Sequence, residues 1–173
     1  MTESKKENSN DDPSGEAPDD ADAKKRKLYV GLDLGTLQSC ILSRLSKPGS
    51  EENHGILVPT VVGYPEDGIL AGILPGNAKM LHGDEALANE LHLRLVNPLS
   101  DGVVSDLDAT KSFLGYLREK VDPERKREVY CVIGIPAVAD GDAKDNLKKA
   151  AKGAFDGILF IPEPFLAALG MRD

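Results

Sequence analysis

From Leu28 to Leu45 the chain reads LYVGLDLGTLQSCILSRL, two runs rich in Val, Ile and Leu around a bend at Asp33, Gly35 and Thr36. The pattern predicts a hairpin with strands over Leu28–Asp33 and Ser39–Leu45. A turn cluster, KPGSEENHG (Lys47–Gly55), follows. Next comes ILVPTVV (Ile56–Val62), expected as a third strand in which Pro59 marks an edge or a bulge. Residues 63–101 are punctuated by Gly and Pro, with a weak apolar stretch at Ile69–Leu74 and a helical stretch near Asp84–Leu91. They read as a small inserted lobe, and NPLSDGVVSD (Asn97–Asp106) brings the chain back to the main body.

Beyond that point the period changes. Leu107, Thr110, Leu114, Leu117 and Val121 recur at helical spacing, and Phe113 and Tyr116 widen the stripe. Ser105 or Asp106 can cap the start of this helix, and Pro123 lies past its end. EVYCVIGIP (Glu128–Pro136) is a continuous apolar run, as expected of a strand covered on both faces. Asp140 can cap a second helix, whose Ala143, Leu147, Ala150, Ala151 and Ala154 form a stripe of small residues. GILFI (Gly157–Ile161) predicts a last buried strand, and Pro164 suits a first helical position. The order βββαβαβα describes an α/β domain: a five-stranded mixed sheet, three strands antiparallel and two parallel, with right-handed crossovers and helices on its faces. It would comprise residues 28–62 and 102–173.

Composition narrows the rest. Residues 1–27 carry eight acids, six bases and two prolines with almost nothing apolar, and are expected to be disordered. KKRK (Lys24–Lys27) is read as a solvated charge run. The net charge of −8 argues against nucleic acid as a partner. No apolar run approaches the ~18 residues of a transmembrane segment. Cys40 and Cys131 fall on separate strands without metal-like spacing, which suits reduced thiols in a cytoplasmic protein. His54, His82 and His92 form no ligand pattern.

Asp33 carries the chemistry. It would lie at the carboxyl end of a central strand, where crevices open in such sheets. Gly35 and Thr36 permit a tight turn and offer N–H and hydroxyl groups to an anion. A carboxylate beside phosphate oxygens is repelled unless a cation lies between, and Mg²⁺ meets that need through its waters and one or two carboxylates. The other reading is an Asp that hydrogen-bonds its own turn. The four residues DLGT alone leave both open.

DLGTLQSC followed by VIGIPA and EPFLAALG resembles the actin-like ATPase superfamily, most closely the bacterial actins of the MreB type. VVGYPED, NPLSDGVVSD and PEPFLAALGM are similar to the filament proteins of that group that organise magnetosome chains. The resemblance implies a ribonuclease-H-like fold, ATP and Mg²⁺ as ligands, and self-association into cytoplasmic filaments, with organelle- or membrane-associated adaptors as further partners. Asp33 would face Mg²⁺ through water, and Gly35 and Thr36 would contact the terminal phosphates. Glu163 stands where the family orients the attacking water. Leu37 and Gln38 stand where relatives often carry small polar residues. No D-x-G-x-G-T loop follows Gly170 and no adenosine-binding Gly-Gly segment occurs. The chain is therefore expected to be one half of the cleft, inactive by itself, exposing the apolar face of its last helix, Pro164–Met171. Three rivals stand beside this reading. A nuclease on the same fold would need further acids, which the strand ending Gly134–Ile135–Pro136 lacks. A DnaK-type chaperone ATPase shares GLDLGT. A non-catalytic assembly module would keep the fold without Mg²⁺-dependent nucleotide affinity.

Overall fold

The computed structural model describes residues 26–44, 53–68 and 72–170. Apart from Arg26 and Lys27, the tail expected over 1–27 lies outside the described residues, as do most of the turn cluster after Lys47 and the start of the Ile69–Leu74 stretch.

Strand β1 (Lys27–Leu34) pairs antiparallel with β2 (Gln38–Arg44), which pairs antiparallel with β3 (Asn53–Pro59). The single strand expected over Ile56–Val62 is two strands. β3 ends at Pro59, and β4 (Val62–Pro65) belongs to a different sheet. Proline has no N–H to continue the ladder, so it ends an edge strand here instead of bulging it. β4 forms a three-stranded sheet with β5 (Leu81–His82) and β6 (Leu93–Val96). The short helix α1 (Gly83–Ala88) follows β5. Val61, Leu74, Leu81, Ala86 and Leu93 give this part a small apolar cluster of its own.

The hairpin β7 (Leu99–Ser100) and β8 (Val103–Val104) turns at Asp101 and Gly102. Both have positive φ, +51° and +75°, as a type I′ hairpin turn requires. Helix α2 (Leu107–Val121) then begins at Asp106, whose Oδ1 accepts a hydrogen bond from Ala109 N at 2.8 Å. β9 (Glu128–Ile135), α3 (Gly141–Ala151), β10 (Gly157–Pro162) and α4 (Glu163–Gly170) complete the chain. Asp140 caps α3 through Ala143 N, also at 2.8 Å. Asp106→Ala and Asp140→Ala are each expected to cost about 1 kcal/mol in urea unfolding, because each leaves a helix N–H without its partner.

The main sheet runs β10-β9-β1-β2-β3, with β1, β9 and β10 parallel. Leu28, Val30, Leu32 and Leu34 point from β1 to one face, as strand alternation demands. On that face they meet Val129, Cys131 and Ile133 of β9, Phe113, Leu114 and Leu117 of α2, and Leu147 and Ala150 of α3 in one cluster. The other face is more open. Tyr130 and Val132 of β9 are half-buried, so the strand expected to be covered on both faces is covered fully on one. The reason is that α2 and α3 share a face, while α4 reaches only the end of the opposite one, with Leu166 over Gly134.

Two joints fix the layers. Arg118 and Asp122, both buried, pair at 3.0 Å at the end of α2. Asp122 also accepts from the N–H of Lys126 and Arg127, and Arg118 donates to the Arg127 carbonyl. The second joint ties the small sheet to α2. His82 Nε2 lies 2.7 Å from Ser112 Oγ, and its ring stacks on Tyr116 at 4.9 Å. Burial lowers the pKa of His82, while Glu119 and Glu85 act in the opposite sense. Among the thiols, burial pushes Cys131 up to about 12, whereas Cys40 is half-exposed. Iodoacetamide at neutral pH should therefore label Cys40 well before Cys131, read by mass spectrometry.

Candidate functional site

β1 delivers Asp33 near its carboxyl end, on the face turned away from α2 and α3. Leu32 is level with Ile133 of β9, so Asp33 stands beside Gly134, which is itself level with Ile161 of β10. Two residues beyond Ile161, Glu163 opens α4. The parallel registers thus align Asp33, the Gly134–Pro136 segment and Glu163 at one edge of the sheet, the edge where open α/β sheets hold ligands.

The turn after β1 accepts only glycine at position 35. A Cβ there would lie 2.3 Å from the Gln38 carbonyl oxygen, inside any contact distance. Gly35→Ala must therefore open the turn, and its expected signature is a loss of stability with shifted amides from Asp33 to Ser39. Thr36 Oγ1 accepts a hydrogen bond from Gly102 N at 3.2 Å. Its own proton remains available for an anion. The Leu37 carbonyl accepts from Thr60 N at 2.9 Å, and Ser39 Oγ lies 2.8 Å from Thr60 Oγ1 in a buried pair. Thr60 and Gly102 sit on the two segments that lead into and out of the small sheet, so both connections are anchored on this turn. Neither was singled out from the sequence. The Asp101–Gly102 dipeptide was the one available signal, since it marks a tight turn.

Asp33 is exposed and has no hydrogen-bond or ion-pair partner among the described residues. No bond from Asp33 to its own turn is present among the described residues. Leu37 is 78% exposed, and among the described residues neither it nor Gln38 makes a side-chain hydrogen bond to the turn. Glu163 is exposed at the start of α4, where the helix dipole favours a carboxylate. Its Cγ lies 3.5 Å from the point a Cβ on Gly134 would occupy, so glycine at 134 leaves room for that side chain. Among the described residues no three His, Cys, Asp or Glu side chains converge as a metal cage. One free carboxylate beside an N–H- and hydroxyl-bearing turn is what Mg²⁺ needs when phosphates and waters supply the remaining ligands. The residues present fit the Mg²⁺–nucleotide pair.

A mixed sheet of this order, with an Asp-x-Gly-Thr turn at its carboxyl edge and a small sheet inserted after the third strand, defines an actin-like domain. Residues 27–172 match the family model described as MreB/Mbl protein. The chain belongs to the MreB/Mbl family. It is 32% identical over 152 residues to the actin-like protein MamK of Magnetospirillum gryphiswaldense, covering 85% of this chain and 40% of that protein. It is 32% identical to MamK of Paramagnetospirillum magneticum as well, over 85% of this chain and 41% of that one. Among solved structures, the MamK double helical filament superposes with a TM-score of 0.72 at 30% identity, over 84% of this chain and 44% of the other. A non-polymerising MamK mutant bound to AMPPNP superposes at 0.71 and 31% identity, over 85% and 44%. The chain spans about 40% of the length of these curated relatives.

Proposed function

We propose that this chain is the first domain of a cytoplasmic actin-like filament ATPase and supplies one wall of its Mg²⁺–ATP cleft. The observation that carries this reading is the exposed Asp33 carboxylate, without a partner among the described residues, beside the Gly35–Thr36 turn. Similarity to MamK, one of whose structures is a filament and another of which holds AMPPNP, supports both the ligand and the assembly.

Each residue has a separate task. Asp33 would hold Mg²⁺ when it is bound. The Thr36 hydroxyl and the backbone N–H groups of the turn bind terminal phosphate oxygens. Glu163 accepts a hydrogen bond from the attacking water and aligns it with the scissile bond, the positioning on which phosphoryl transfer depends. When bound, Mg²⁺ neutralises charge that builds on the phosphates. Organisation of magnetosomes, with adaptors on their surface, is the cellular role the MamK similarity favours.

The test is a chimera in which residues 27–172 replace the matching segment of a MamK relative. Filaments in electron micrographs that require Mg²⁺ and ATP are the expected result. Asp33→Ala in the same chimera should abolish Mg²⁺-dependent nucleotide binding and, with it, assembly. A chimera that folds but neither binds nucleotide nor assembles would reject the reading.

A further inference from the structure

We propose that His82 is a pH-sensitive latch between the small sheet and α2, closed while its ring is neutral and released when the ring is protonated. Both sides of the joint belong to this chain. Met80 and His82 reach the same side of their segment, because Met80 Sδ and His82 Nε2 both meet Ser112 Oγ, at 2.8 and 2.7 Å. Leu81 between them turns the other way, into the cluster that the small sheet keeps for itself with Val61, Leu74, Ala86 and Leu93. The latch therefore stands outside that cluster, which can stay packed when the joint opens.

The corner has little play. β5 pairs with β4 through two residues, His82 opposite Val62 and Leu81 opposite Gly63. The next residue, Gly83, has φ +56°, and a Cβ there would lie 2.5 Å from Val58 Cγ1 and 3.3 Å from Tyr116 Oη. Its N–H donates to the Val61 carbonyl at 3.0 Å. The His82 ring is stacked on Tyr116, with centroids 4.9 Å and planes 11° apart. A ring that leaves Tyr116 takes Gly83 with it, so the corner opens as a unit.

Chemistry sets how readily it opens. Ser112 donates to the sulfur, which leaves its oxygen to accept from Nε2–H and fixes the neutral tautomer. Protonation adds an N–H at Nδ1 and a charge to a ring that lies against Tyr116. Burial opposes that charge, Glu119 of α2 and Glu85 of α1 favour it, and the net direction of the pKa is down from 6.5. Lys120 also lies over the Tyr116 ring, at 5.0 Å, and a second cation on one ring is repelled. β3 and β4 bring Val58 and Val62 to the corner, neither of them charged. A histidine depressed by packing contributes fully above its ordinary value and loses that contribution as pH falls toward the packed one. The joint therefore opens more easily in mild acid. Thr60 and Gly102 tie both connections of the small sheet to the turn at Thr36, so release reaches the backing of that turn.

The test follows the 173-residue chain by NMR from about pH 7.5 to about pH 5.5, around the ordinary histidine value. Imidazole signals of His82, assigned by their loss in His82→Gln, give its midpoint. Hydrogen exchange, corrected for the intrinsic effect of pH, gives the protection of the Gly83 amide. The midpoint should lie below 6.5. Protection at Gly83 should drop by about threefold or more across the window, while that of Leu32 and Ile133 in the main sheet holds. His82→Gln keeps a donor for Ser112 but does not titrate, and His82→Phe keeps a ring against Tyr116. Either variant should flatten the profile at Gly83. A midpoint at or above 6.5 overturns the proposal. So does protection at Gly83 that stays constant while His82 titrates, a drop shared equally by Leu32 and Ile133, or a drop that persists in both variants.

Discussion

Asp122→Ala should lower the stability of the chain by about 3–5 kcal/mol, the cost of leaving one partner of a buried ion pair alone. The size follows from what the carboxylate holds. It meets the Arg118 guanidinium at 3.0 Å and accepts from the N–H of Arg127 at 2.9 Å and of Lys126 at 3.3 Å. Arg118 in turn donates to the Arg127 carbonyl at 2.9 Å, so the pair stitches the end of α2 to the start of β9. For a domain of this length the melting temperature should fall by roughly 10 °C. Arg118→Met, which removes the charge but keeps the bulk, should cost less only when combined with Asp122→Leu. Replacing both charges with apolar groups removes the unpaired partner.

The same site sets the acid limb of stability. Burial alone would raise the Asp122 pKa above its ordinary 3.8. The Arg127 N–H, the hydrogen bond and charge of Arg118, and the Lys126 N–H outweigh it, and the net direction is down. A carboxyl depressed by folding contributes stability that is complete above its ordinary value and is lost as pH falls through the folded one. The parent chain should therefore lose stability below about pH 4, where Asp122→Asn should show a flatter profile. A melting curve for Asp122→Asn that tracks the parent from pH 6 to pH 3 would remove Asp122 from this role.

Glu163→Ala, placed in the chimera with a MamK relative, should reduce ATP hydrolysis by roughly 10²-fold, the scale of a positioned acid–base group. Nucleotide binding and filament formation should survive, because the role proposed for Glu163 is on the water and not on the bound phosphates. Filaments should then persist longer, since the state reached by hydrolysis forms slowly. The competing role is structural: a carboxylate at a helix start stabilises by about 0.5–1 kcal/mol and touches no chemistry. Phosphate release and filament lifetime measured on the same sample separate the two. Unchanged hydrolysis with a lowered melting temperature would leave Glu163 as a helix-start residue alone.

The order of strands and helices was legible because each element carries its own period. The stripe from Leu107 to Val121 and the cap at Asp106 mark the first long helix; Asp140 marks the start of the second, which ends at Ala151, short of the expected stripe's last member, Ala154. The break at Pro59 was not resolved. ILVPTVV is apolar throughout, and nothing local says that Val62 pairs with His82 and Val96 instead of continuing β3. β9 misled for a related reason. Its apolar residues on both faces predict cover on both, but what covers a face depends on which side the crossovers place α2 and α3.

Asp33, Gly35 and Thr36 could be found from the sequence because they share four positions. Thr60 and Gly102 could not, since their N–H groups, which almost any residue type supplies, reach Leu37 and Thr36 from 23 and 66 residues away. The Arg118–Asp122 pair stands at ordinary i,i+4 spacing, which carries no mark of burial in the sequence; the fold shows that it is buried.

The most direct measurement is an NMR titration of the 173-residue chain, labelled with ¹⁵N, with ATP in the presence and absence of Mg²⁺. One wall of a cleft makes few contacts, so affinity on the order of 1 mM is expected, about −4.1 kcal/mol. The amides of Gly35, Thr36 and Gly102 should shift together as Mg²⁺–ATP is added. Those shifts should vanish on chelating the metal or in Asp33→Ala. Amides of the turn that stay fixed throughout, or that move equally without Mg²⁺ and without Asp33, would contradict a phosphate-and-metal turn at the end of β1.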